Sequence, residues 1–126
     1  RAVEQSAGLE HAKEDIDAIV RSFVSIWSAQ HDEELPGHIG TGSQASIDPL
    51  SLSVFLSHLC NQPGGTTPIR LDAHRSGMEA ILTIEFNEPP ALDPALATPD
   101  GVTRTTAAPD STHMRIAIRL QDSDHG

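Results

Sequence analysis

The sequence predicts an α+β fold. Its expected form is a mixed or antiparallel sheet with one or two helices packed on one face, preceded by a long N-terminal helix. Three observations carry this. An apolar stripe recurs at three- and four-residue steps from Val3 to Gln30. A second helical stretch opens on Asp48-Pro49. Later runs at 69–74, 80–86 and 114–120 alternate apolar with polar residues. A 3.6-residue period marks a helix with one buried face, and a period of two marks a half-buried strand.

In the first stretch Leu9, Ala12, Ile16, Ile19, Val20, Phe23, Ile26 and Trp27 form the apolar face, with Lys13, Glu14, Asp17 and Arg21 on the other. A stripe this long needs a partner, either the rest of the domain or a second chain. Phe23 and Trp27 read as core or bundle packing. His31-Asp32-Glu33-Glu34 followed by Pro36, Gly37, Gly40 and Gly42 reads as a helix end and a linker. Asp48 is placed to cap the second helix and Pro49 suits its first turn. Leu52, Phe55, Leu56 and Leu59 supply its buried face, and Pro63-Gly64-Gly65 ends it.

Ile69, Leu71 and Ala73 then alternate along one strand, and Ala80, Leu82, Ile84 and Phe86 along the next. Ser76-Gly77 is the expected turn between them. Residues 87–99, rich in Pro and Ala, read as loop. Val102–Thr106 is a weaker strand. Met114, Ile116, Ile118 and Leu120 face one way along the last strand, with Arg115 and Arg119 facing the other. The predicted organisation is a helix at 1–31, a linker at 32–46, an α+β domain at 47–121 and a tail at 122–126.

The 126 residues suffice for one domain, and an apolar fraction of 37% suffices for one modest core. A net charge of −10 argues against nucleic acid and anionic membranes as partners. No apolar run approaches the roughly 18 residues that span a bilayer, and no signal-peptide pattern is present. The sequence starts on Arg1, as expected of a piece excised from something longer. One cysteine, Cys60, cannot form an internal disulfide and reads as a small core residue in a reducing, cytoplasmic setting. His31 and His38 near Asp32, Glu33 and Glu34 match no compact zinc spacing, so no metal site is expected. Arg70, Arg75, Arg115 and Arg119 fall on one sheet face or at its turns. They either balance nearby acids or contact an acidic phosphorylated partner.

Several segments resemble sensor histidine kinases. "IDPLSLSVFLSHL" (Ile47–Leu59) resembles the opening of the catalytic domain, where an Asp-Pro pair starts the helix bearing the Asn-rich nucleotide box. "PGGTTPIRLDAHRSGMEAILTIEFNEPPALDPAL" (Pro63–Leu96) looks like the two strands and first glycine-rich box that follow. "DGVTRTTAAPDSTHMRIAIRL" (Asp100–Leu120) resembles the last hairpin, and "HAKEDIDAIVRSFVSIWSA" (His11–Ala29) is similar to the second helix of the dimerisation bundle.

The resemblance implies a shortened ATPase-like fold, similar to that of phosphorelay histidine phosphotransferases. It assigns the nucleotide-box positions to Asn61, for Mg²⁺, to Asn87, for the adenine amino group, and to Gly101. His11 is its phosphoacceptor candidate. The departures imply a decayed site. Pro89 and Pro90 stand where glycines belong, and proline offers no N–H. Only residues 89–100 separate Glu88 from Gly101, where the family carries a lid, a second glycine box and a helix. A lone glycine forms no phosphate cradle.

The expected function is therefore a degenerate two-component module that binds or relays to a response-regulator receiver domain. Homodimerisation through the N-terminal helix is expected, and no cofactor. The chain by itself is not expected to hydrolyse ATP, and histidine phosphotransfer is the enzymatic activity left open. One alternative is an active ATP-binding kinase domain, using ATP and Mg²⁺, whose lid lies outside this sequence. The other is a scaffold domain of a pilus or secretion platform.

Overall fold

A computed structural model describes residues 13–62, 64–93 and 95–120. The elements run β1 (Lys13–Asp15), α1 (Ile16–His31), β2 (Gln44–Ser46), α2 (Pro49–Cys60), β3 (Pro68–Ser76), β4 (Glu79–Phe86), β5 (Val102–Thr106) and β6 (His113–Arg119). The fold is α+β. β1 and β2 form a small antiparallel ladder, and the main antiparallel sheet has the order β3-β4-β6-β5. Segment 36–40 adds a parallel fringe to the outer edge of β3. Leu71 N donates to Pro36 O at 2.9 Å, Ala73 N to His38 O at 2.9 Å, and Gly40 N to Ala73 O at 3.0 Å.

The first helix differs from the sequence expectation. Residues 13–15 pair as a strand with 44–46, and helix begins only at Ile16. The local reason is Asp15, whose carboxylate accepts from Asp17 N at 3.0 Å and caps the helix. Residues 1–12, including the earlier part of the predicted helix and His11, lie outside the described residues. Asp17, expected on the solvent face, is 6% exposed.

α2 forms as its sequence dictates. Asp48 Oδ2 accepts from Ser51 N at 3.1 Å, and Pro49 occupies the first turn. One hydrophobic cluster joins Ile16, Val20, Phe23 and Trp27 of α1 to Leu52, Phe55, Leu56 and Leu59 of α2. It also takes in Leu82, Ile84, Ile116 and Ile118 of the sheet. Burying each such side chain contributes about 1.5–3 kcal/mol. Cys60 belongs to this core, and burial pushes its thiol up to about 12. Trp27 packs near Phe23, with ring centroids 6.2 Å apart, and stacks on His31 at 3.6 Å.

The β3–β4 hairpin turns through Gly77-Met78, since Ser76 pairs with Glu79. Gly77 takes φ +63° while Met78 stays negative. Positive φ at only the first turn position is what a type II′ hairpin asks of glycine.

Candidate functional site

The approach to α2 is set by a buried carboxylate. Asp17 Oδ1 accepts from Thr41 N at 3.0 Å and Thr41 Oγ1 at 2.7 Å, and Oδ2 accepts from Gly42 N at 2.9 Å. Thr41 Oγ1 in turn accepts from Ser43 N, and Ser43 Oγ donates to Thr41 O. Burial alone raises a carboxyl's pKa. Here the Thr41 hydroxyl, the Gly42 and Thr41 N–H groups and the Arg21 charge outweigh it, holding Asp17 below the ordinary carboxylate value. This network fixes residues 41–43, which lead through β2 into the Asp48 cap.

α2 carries apolar side chains on both sides. Its inner side joins the core. Leu50, Val54 and His58, spaced four apart, line the outer side. Leu50 is 71% exposed and Val54 47%. Leu96, Ala97, Thr98 and Pro99 face them, closing an open groove of about 420 Å³. Leu50, Val54, Phe55, Leu96 and Pro99 make most of its wall apolar. His58 is its one ionisable group, and no Lys or Arg lines it. Ser51, Ser53 and Ser57 share this outer side, yet the exposed Leu50 and Val54 add an apolar stripe beyond the core face, which signals a covered outer side. The 50-54-58 spacing is therefore the sequence signal by which this groove was findable.

None of the sequence-predicted positions Asn61, Asn87 and Gly101 lines this groove, and they do not converge at one point. Asn61 is the C-cap of α2. Its side chain is exposed and makes no hydrogen bond among the described residues. The Asn87 amide is engaged: Oδ1 accepts from Thr67 N at 2.8 Å and Nδ2 donates to Gly65 O at 3.2 Å. Gln62 Oε1 accepts from Ala91 N at 3.0 Å, so the turn after α2 is tied to the loop after β4 at two points. Gly101 sits at the other end of the helix with φ +98°. A Cβ there would lie 3.4 Å from Ser46 O and 3.5 Å from Ile47 Cβ. With 12 residues in α2, the ends are about 18 Å apart. Among the described residues, no group of three or more His, Cys, Asp or Glu side chains is placed to hold a metal ion. Among the described residues, no helix is long and apolar enough to cross a membrane.

Two helices over an antiparallel sheet, with a groove beside the second helix and the loop after β4, define the class as a two-layer α/β sandwich. Its fold is shared with the cytoplasmic segment of the histidine kinase QseC. The TM-score is 0.52 over 87% of this chain and 74% of that one, at 14% sequence identity. No protein-family model and no curated protein sequence matches this chain.

Proposed function

We propose that this chain is a degenerate histidine-kinase-like module of two-component signalling that docks a response-regulator receiver domain and does not hydrolyse ATP. The shared fold with a histidine-kinase cytoplasmic segment supports the signalling relation coarsely. The observation that carries the finer reading is the groove along α2. Its apolar lining suits a protein side chain far better than a triphosphate, which needs cations or a nest of N–H groups. The Asn87 amide holds the 65–67 turn, and Pro89 and Pro90 withhold backbone donors from a nucleotide. On this reading the module is cytoplasmic and dimerises through its N-terminal helix, and His11 is the residue to test for phosphotransfer.

Asn61 favours the second reading, an active nucleotide site, because its amide is free to ligate a cation through oxygen. Calorimetric titration with Mg-ATP separates the two. The expected result is no heat of binding at micromolar nucleotide. Saturable binding that Asn61→Ala abolishes would establish the second reading instead.

A further inference from the structure

We infer that the open face of the four-stranded sheet, opposite the helices, is a docking surface for an acidic, extended segment of another protein. Cross-strand register places four rows on this face. These are Arg70–Glu85–His113, Asp72–Thr83–Arg115–Thr106, His74–Ile81–Ala117–Arg104 and Ser76–Glu79–Arg119. It thus holds four of the chain's eight basic residues but only three of its eighteen acidic ones. In a chain of net charge −10, this one face is locally positive.

The acids present are already engaged. Asp72 accepts from Arg70 Nε at 2.8 Å, Glu79 takes both terminal nitrogens of Arg104 at 3.2 Å, and Glu85 lies 3.8 Å from His113. Arg115 and Arg119 have no side-chain hydrogen bond or ion pair among the described residues. The hollow beside Arg115 has an apolar floor. Ile81 and Ala117 are 5% and 3% exposed, yet stand outside the core cluster, shielded by the flanking long side chains. Arg104, Arg115, Glu79 and Thr106 rim it. A dry floor inside a polar, charged rim is the anatomy of a protein contact.

The spacing selects the partner's shape. Arg115 and Arg119 are four residues apart on β6, about 13 Å along the strand. Alternate side chains of an extended peptide repeat at about 6.7 Å, so carboxylates four residues apart meet both guanidiniums, and the same-facing residue midway between them, small or apolar, lies over the Ala117 floor. Guanidinium forks pair bidentately with carboxylates, and a short segment with two spaced acids brings less charge against the chain's remaining negative surface than a dense polyphosphate backbone does. This surface is distinct from the α2 groove and stands whether or not that groove docks a receiver.

The test is fluorescence anisotropy with a labelled extended peptide carrying glutamates four residues apart and alanine midway between them, at low and physiological salt. The double variant R115A/R119A is expected to bind about tenfold more weakly, while R75A, at the β3–β4 turn, binds within a factor of two of the parent. Affinity falls as salt rises. Unchanged circular dichroism certifies that both variants fold. The inference fails if the peptide does not bind at low salt, or if both variants lose affinity equally. Tighter binding of single-stranded oligonucleotide or anionic vesicles than of the peptide also overturns it.

Discussion

Gly37→Ala is expected to lower stability by about 3 kcal/mol, and the melting temperature by roughly 10 °C. The cause is a backbone collision. A Cβ on Gly37, at φ +153°, would sit 1.6 Å from Leu71 O and 2.6 Å from Leu71 C. No side-chain rotation relieves that, so segment 36–40 must leave the β3 edge. Its departure breaks the bonds from Leu71 N to Pro36 O and from Ala73 N to His38 O. It also strips the cover from a sheet edge, leaving unpaired donors on β3. Gly42→Ala is the matched control. Gly42 has φ +59° with nothing within 4 Å of the added carbon, so it carries conformational strain alone, about 1 kcal/mol. Thermal unfolding followed by Trp27 fluorescence measures both. Equal losses would show that the fringe contributes nothing.

Asp17→Ala should be comparably severe, at about 3–4 kcal/mol by urea denaturation. It orphans three donors: Thr41 N, Thr41 Oγ1 and Gly42 N. Each buried orphan costs about 1–3 kcal/mol. Gly42 is exposed and regains water, so the sum falls below three full penalties. The same carboxylate gives the fold an acid limit. Its folded pKa is depressed, so its stabilisation is complete above the ordinary carboxylate pKa near 4. That stabilisation is lost as pH falls below this toward the folded value. Asp72, depressed by its Arg70 hydrogen bond, acts in the same direction but is more exposed and contributes less. Stability of the parent should therefore fall below about pH 4, and Asp17→Asn should flatten that fall. A variant with the parent's acid profile would exclude Asp17 as its source.

These two residues also mark where sequence reasoning stops. α2 was legible because cap, proline and apolar period agree within a dozen positions. The β3–β4 hairpin and β6 were legible because five or more alternating residues leave little room for another period. β1 and β2 have three residues each, too few to show a period, and β1 was absorbed into the helical stripe beside it. Segment 36–40 carries proline and two glycines and reads as linker. Its strand-like role depends on β3, which lies more than thirty residues on. Asp17 looks like a solvent-facing acid because its partners stand 24 and 25 residues away. The groove was half visible. Leu50, Val54 and His58 show a second stripe on α2, but nothing local brings residues 96–99 against it. The resemblance singles out Asn87 for an adenine contact, and nothing local in the sequence shows that its amide also spans the turn at 65–67.

The central claim is that the α2 groove receives a protein and not a nucleotide. Backbone amide NMR spectra, recorded while a panel of isolated receiver domains or Mg-ATP is titrated in, test it most directly. The account predicts shifts at Leu50, Val54, His58 and residues 96–99 with at least one receiver domain, and none with Mg-ATP. Shifts of those same amides with Mg-ATP, and silence with every receiver, would contradict it.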